Sequence, residues 1–226
     1  MSLINKVDEL VADVPRVAYS FNSSKSWNDV GFSQVILQRD TAFELNGTGF
    51  SLVTTKEFDD EIIVVGNELS EIQGNSSFAR VAIVQIDAIE DAQALHDIIK
   101  KIEYVKYNCY PQGFMMRSSS STYKESVRVS KKRLTSGICF EKIGNLLINK
   151  IEEIPQVKAV KLYFITSEEV DYSQISDIAQ KNREITQTLN RVMNEALVDC
   201  DSCKLKSICD EVEGMRELHF KSIKGD

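Results

Sequence analysis

The stretch RVAIVQID, residues 80–87, decides the fold. Its centre, 81–86, is apolar almost without interruption and too short for a buried helix. A run of that length and character is a strand covered on both faces. A strand of that kind needs neighbours in a sheet and something packed above and below it. Working outward, VAYSF (17–21), SQVILQ (33–38), EIIVVG (61–66), ESVRVS (125–130) and KAVKLYFIT (158–166) supply the further strands. The pairs Asn46-Gly47, Gly66-Asn67 and Gly74-Asn75 read as joints between them.

Between and around these runs the period changes to that of a helix. Leu3, Val7, Leu10, Val11 and Val14 predict a short helix over 2–14, ended by Pro15. Ile89, Ala92, Leu95, Ile98, Ile99 and Ile102 predict a second over 89–106, and Phe140, Ile143, Leu147 and Ile151 a third over 140–152. The longest, about 171–199, carries Ile175, Ile178, Ile185, Leu189, Val192 and Ala196 on one face. Residues 107–122, with a Pro-Gln-Gly turn and four consecutive serines, have no period and read as a loop. The order of elements gives an α+β fold: a single domain over 1–198 with a mixed β-sheet flanked by helices, followed by a small cysteine-containing segment over 199–226.

The chain has 226 residues, 42% apolar and 27% charged, as expected of a soluble globular domain. A net charge of −7 argues against a nucleic-acid binder. No apolar run is long enough to span a bilayer, and the first residues lack the apolar core of a signal peptide, so a cytoplasmic location is expected. Five cysteines, an odd number with three bunched together, do not form a disulfide framework.

Those three are the strongest chemical signal. Cys200, Cys203, Cys209 and His219 have the spacing C-x2-C-x5-C-x9-H. Thiolates and an imidazole in so short a span suit zinc in tetrahedral geometry or an iron–sulfur cluster. The alternatives are a redox or structural thiol pair and an empty site. Cys109 and Cys139 stand apart in apolar and aromatic company and read as small core residues. His96 reads as a surface or half-buried histidine with no role. GxSxG, P-loop, GxGxxG and HExxH motifs are missing. The second signal is cationic. Arg117, Lys124, Arg128, Lys131, Lys132 and Arg133 stand against one acid, Glu125, directly around the serine run. Such a segment either closes over a phosphorylated ligand or is a solvated face.

Several stretches occur together in one known order. They are AFEL (42–45), EIIVVGNELSEIQ (61–73), RVSK (128–131), GICFEKIGNLLINKIEEIP (137–155) and VKLYFIT (160–166), with the cysteine segment after the long helix. On these residues the chain resembles the acetyl-CoA synthase subunit of the carbon monoxide dehydrogenase/acetyl-CoA synthase complex, in its central domain and the start of its cluster-binding segment. The resemblance implies that Cys200, Cys203 and Cys209 match the first three of four cysteines that hold a 4Fe–4S iron–sulfur cluster. His219 stands in the place of the fourth, and zinc is the alternative. It implies coenzyme A as a ligand for Arg117, Lys124, Arg128 and Lys131.

The family's Cys-Gly-Cys nickel run has no counterpart here, and Met115, Met116 and serines stand where the family has a motif with tryptophan, histidine and arginine. The expectation is therefore a stand-alone relative without the nickel domain, not active alone. It would be an iron–sulfur accessory or electron-transfer subunit whose partner is another protein of carbon monoxide, one-carbon or corrinoid metabolism in an anaerobe. The alternatives are a coenzyme A-binding subunit of a multi-chain acetyl-CoA synthase and a zinc-stabilised interaction domain.

Overall fold

In the computed structural model, which describes residues 2–36, 41–119 and 121–193, the central apolar run lies in the middle of a seven-stranded sheet. The strands are β1 (Arg16–Ser20), β2 (Ala42–Thr54), β3 (Glu61–Val65), β4 (Ser76–Ile86), β5 (Phe114–Ser118), β6 (Lys124–Ser130) and β7 (Val157–Ile165). Their order across the sheet is β1-β3-β7-β4-β2-β6-β5. The β3/β7 and β4/β2 pairs are parallel and the others antiparallel, so the sheet is mixed and the fold α+β, as the sequence implies. Among the described residues, five α-helices accompany it: α1 (Leu3–Leu10), α2 (Ala92–Tyr104), α3 (Lys131–Leu134), α4 (Phe140–Glu152) and α5 (Tyr172–Met193). Among the described residues, no helix is long and apolar enough to cross a membrane.

Strand β4 has apolar partners on both faces. Phe78, Ala82, Val84 and Ile86 pack into a core with Ile143, Leu147, Ile148 and Ile151 of α4 and with Ile98 and Ile102 of α2. Ala79, Val81 and Ile83 pack into a second core with Val7 of α1, with Val11 at its C-cap, and with Ile175, Ile178 and Ala179 of α5. Helix α4 lies close against the sheet: a Cβ on Gly144 would come within 2.7 Å of the Ile62 side chain. Its N-terminus is capped from afar. The Phe140 backbone N–H donates to Glu68 Oε1 at 2.7 Å, and the Phe140 ring stacks on Phe164 with centroids 4.6 Å apart. Ser2 and Asp91 cap α1 and α2 with their own side chains.

Three expectations are corrected. The pair Asn46-Gly47 is no joint but lies inside β2. Before it, Phe43 and Leu45 point into the α4 core; after it, Phe50 and Leu52 point into the α5 core. The apolar parity changes face in mid-strand, which hides the period-two signal. Gly47 is there because β4 runs so close that a Cβ would lie 1.6 Å from the Phe78 carbonyl oxygen. Residues 33–36 of the expected strand SQVILQ are irregular, with Val35 exposed, and 37 and 38 fall outside the described residues. The expected loop 107–122 contains β5, an edge strand whose half-buried residues carry little alternation.

A carboxyl pair sits where α4 ends against the start of β7. Burial and the adjacent Asp60 carboxylate, to which Glu152 donates a hydrogen bond, push the Glu152 carboxyl up to about 7. The Asp60 carboxylate also accepts the Val160 N–H at 2.6 Å. The folded chain thus binds a proton more tightly than the unfolded one. This contribution to stability is present at low pH and is lost as pH rises from the ordinary carboxylate range through about 7. In thermal melts, Glu152→Gln should be more stable than the wild type at about pH 8 and should lose less between about pH 5 and pH 8. Parallel pH profiles for the two proteins would contradict this.

Candidate functional site

The outer half of the sheet carries polar residues on the face toward α5. The register sets Asn46 of β2 beside Ser126 of β6 and Arg117 of β5, and Thr48 beside Lys124. These side chains share one face because residues paired across an antiparallel ladder point the same way. Helix α5 crosses this face and presents Ser176, Gln180 and Arg183, spaced four and three apart on one side of the helix. Thr48 Oγ1 and Ser176 Oγ lie 3.2 Å apart, and Asn182 Nδ2 donates to the Ser51 carbonyl at 2.9 Å, which fixes the helix on the strand. Between helix and strands runs a groove of about 820 Å³. The segment 121–123 closes one side, held where Arg183 Nη1 donates to the Ser121 carbonyl.

Three cations line this groove: Arg117, Lys124 and Arg183. Among the described residues none of them forms an ion pair, and Arg183 Nε is buried without an acceptor. The rest of the lining is mostly hydroxyl and amide side chains, and Glu125, whose carboxylate is taken up by Arg80, also reaches its wall. An arrangement of this kind accepts an anion: charged donors supply charge-assisted hydrogen bonds and neutral donors complete them.

Behind the groove lies a buried charge network. Arg80 of β4 and Glu125 of β6 form a bidentate pair, Nε to Oε1 at 2.8 Å and Nη2 to Oε2 at 2.7 Å, with side chains 5% and 0% exposed. Ser118 Oγ adds a third hydrogen bond to Oε2 at 2.9 Å. Burial alone would raise the Glu125 carboxyl; the Arg80 charge, its hydrogen bonds, Lys106 and Ser118 outweigh burial and hold it below the ordinary value. Gly49 makes room for it, since a Cβ there would stand 2.0 Å from Glu125 Oε2. Lys106, 8% exposed, follows α2 in a short 3-10 turn and donates to the Gly49 carbonyl at 3.5 Å. Tyr123 closes the network, its hydroxyl donating to Glu103 Oε1 at 2.7 Å. Its φ of 52° is a strained conformation for an aromatic residue. That hydroxyl contact and the Gly49 N–H to Tyr123 carbonyl bond of 2.8 Å hold it there.

The four cations expected at the anion site part company. Arg117 and Lys124 line the groove. Arg128 is about 13 Å further along β6 by the ordinary rise per residue, bound to Glu44 Oε1 at 2.6 Å and the Ile36 carbonyl at 2.9 Å. Lys131 opens α3, beyond the end of β6. Arg183 is the residue that sequence reasoning missed; its signal was the polar stripe Ser176-Gln180-Arg183 opposite the apolar face of α5. Cys200, Cys203, Cys209 and His219 lie outside the described residues. Among those described, no three histidine, cysteine or acidic side chains group as metal ligands. Cys109 is buried in the core, where burial and then Asp29 push its thiol up to about 12, so it is inert. Cys139 is half-buried at the N-cap of α4, and His96 is half-buried with Nδ1 3.8 Å from Asp97 Oδ1 and without a hydrogen bond.

Removing one member of the Arg80–Glu125 pair strands the other charge. Arg80→Met should cost roughly 3–5 kcal/mol in a denaturant titration, while Arg80→Met with Glu125→Leu should recover most of it. Equal loss in the single and double variants would show that the pair's shape, not its charge, matters.

Residues 32–170 match the family model described as CO dehydrogenase/acetyl-CoA synthase complex beta subunit. No curated protein matches the chain.

Proposed function

This chain belongs to the family of the CO dehydrogenase/acetyl-CoA synthase complex beta subunit, and we propose that within such an assembly it holds coenzyme A by its phosphates. The convergence of Arg117, Lys124 and Arg183 over hydroxyl and amide groups carries this reading. Coenzyme A presents a diphosphate and a ribose phosphate, the kind of anion that guanidinium groups bind through paired hydrogen bonds. The groove volume, about 820 Å³, suits a ligand of that size. The buried and acceptor-less Nε of Arg183 is a donor that a phosphate oxygen would satisfy. In a chain of net charge −7, the surrounding negative charge limits the non-specific association of other anions, so that a local cationic site stands out.

A second reading rests on the C-x2-C-x5-C-x9-H spacing. It makes the chain an iron–sulfur accessory or electron-transfer subunit, in which Cys200, Cys203, Cys209 and His219 hold the cluster. The donor set fits: three thiolates suit iron, and a histidine ligand raises the potential of a cluster relative to thiolate alone. The same donors bind zinc, which would make the segment a folded interaction module. The two readings are compatible, since a subunit can hold both a nucleotide-bearing thiol and a cluster. Partners are other subunits of the carbon monoxide dehydrogenase/acetyl-CoA synthase type or corrinoid proteins of one-carbon metabolism.

Calorimetric titration with coenzyme A tests the first reading. Binding should weaken with added salt, and Arg117→Ala and Arg183→Ala should each weaken it about tenfold. Arg128→Ala should leave it unchanged. No heat at millimolar ligand would remove the reading. Anaerobic reconstitution with iron and sulfide, followed by visible and EPR spectra, tests the second: a brown protein with a reducible cluster is expected. A colourless protein that takes up one zinc ion would leave the zinc module in its place.

A further inference from the structure

We propose that Lys106 is a buried fourth cation of the groove, so that an anion held by Arg117, Lys124 and Arg183 and the proton on Lys106 strengthen each other. The proposal rests on the groove being an anion site. Lys106 does not line the groove; it stands behind Tyr123, which does, with its ammonium 6.0 Å from the centre of the Tyr123 ring and 5.4 Å from that of Tyr107. Its hydrogen bond to the Gly49 carbonyl is long, at 3.5 Å. An ammonium so placed is stripped of water and thinly compensated, and its charge acts through a medium of low polarity.

Every charged group that faces it bears on the same balance. Arg80 of β4 repels it. Glu125 of β6 attracts it but is already committed to Arg80, and Glu103 of α2 attracts it but is bonded to Tyr123 and 3.5 Å from Lys100. Tyr107 and Tyr123 turn their ring faces to it. Burial first, and Arg80 second, bring the ammonium down to about 8, so it gains and loses its proton near neutrality. An anion on the other side of Tyr123 favours the protonated form. By linkage, the protonated form then favours the anion by the same factor. Arg117 and Arg183 keep their charge throughout this range. Lys106 is thus the group behind the groove whose charge changes there.

Adenosine 3′,5′-bisphosphate, whose phosphates are fully ionised above about pH 7, is the probe. Its affinity for the full chain should fall roughly fivefold between about pH 7 and pH 9. The fall should be absent in Lys106→Met and persist in Lys124→Arg. Should Lys106→Met not fold, the wild type decides: titration near pH 8 in two buffers of different ionisation enthalpy should report net proton uptake on binding. Binding with no pH dependence and no proton uptake overturns the role of Lys106 and leaves the groove standing. Loss of the dependence in Lys124→Arg, or its survival in Lys106→Met, also overturns it. No binding at either pH removes the anion site and the proposal together.

Discussion

The bidentate contact between Arg80 and Glu125 is the constraint on which the outer half of the molecule depends. A fully buried ion pair adds little net stability, because the desolvation of two charges cancels most of their attraction. What it adds is a choice between registers. Strand β6 alternates Lys124, Glu125 and Ser126, and a slip of one residue would carry a lysine or a serine to the place of Glu125 and turn every apolar side chain of β6 outward. Arg80 accepts only one of these arrangements. In that arrangement Val127 and Val129 enter the core, Lys124 and Ser126 enter the groove, and Ser118 is drawn in from β5 so that its neighbour Arg117 points the same way as Ser126.

The inner half needs no such device. Apart from Arg80, the buried residues of strands β3, β4 and β7 are apolar on both faces and held between α4 on one side and α1 with α5 on the other. That half was legible in the sequence: the runs at 61–66, 80–87 and 158–166 and the helix at 140–152 lie where their periods put them. Strand β2 was not, because its apolar residues change face at Gly47. The reason is the charge network itself. Over Gly47, Gly49 and Ser51 the α4 face of the sheet is given to Glu125, Arg80 and Lys106, and the apolar residues move to the opposite face, beneath α5. A period-two test reads that change as an interruption.

The site was legible in part for a related reason. Charge density around the serine run pointed to Arg117 and Lys124, which do share the groove. It could not separate them from Arg128, whose partner Glu44 is 84 residues away in sequence. Nor could it reach Arg183, which contributes through the packing of a helix on a sheet rather than through nearness along the chain. Proximity in sequence finds clusters within one hairpin. Convergence of distant elements follows from the order of strands, which no single motif encodes.

The two sides of the groove fall on either side of the limit of the family match. Its floor, on β2, β5 and β6, falls inside the segment shared with the family, 32–170; the wall that bears Ser176, Gln180 and Arg183 falls outside it. Substitutions on that wall would change the groove and leave the matched sheet, its register and its buried ion pair in place. Membership of the family therefore rests on the sheet side of the groove and says nothing of the three α5 side chains that complete it.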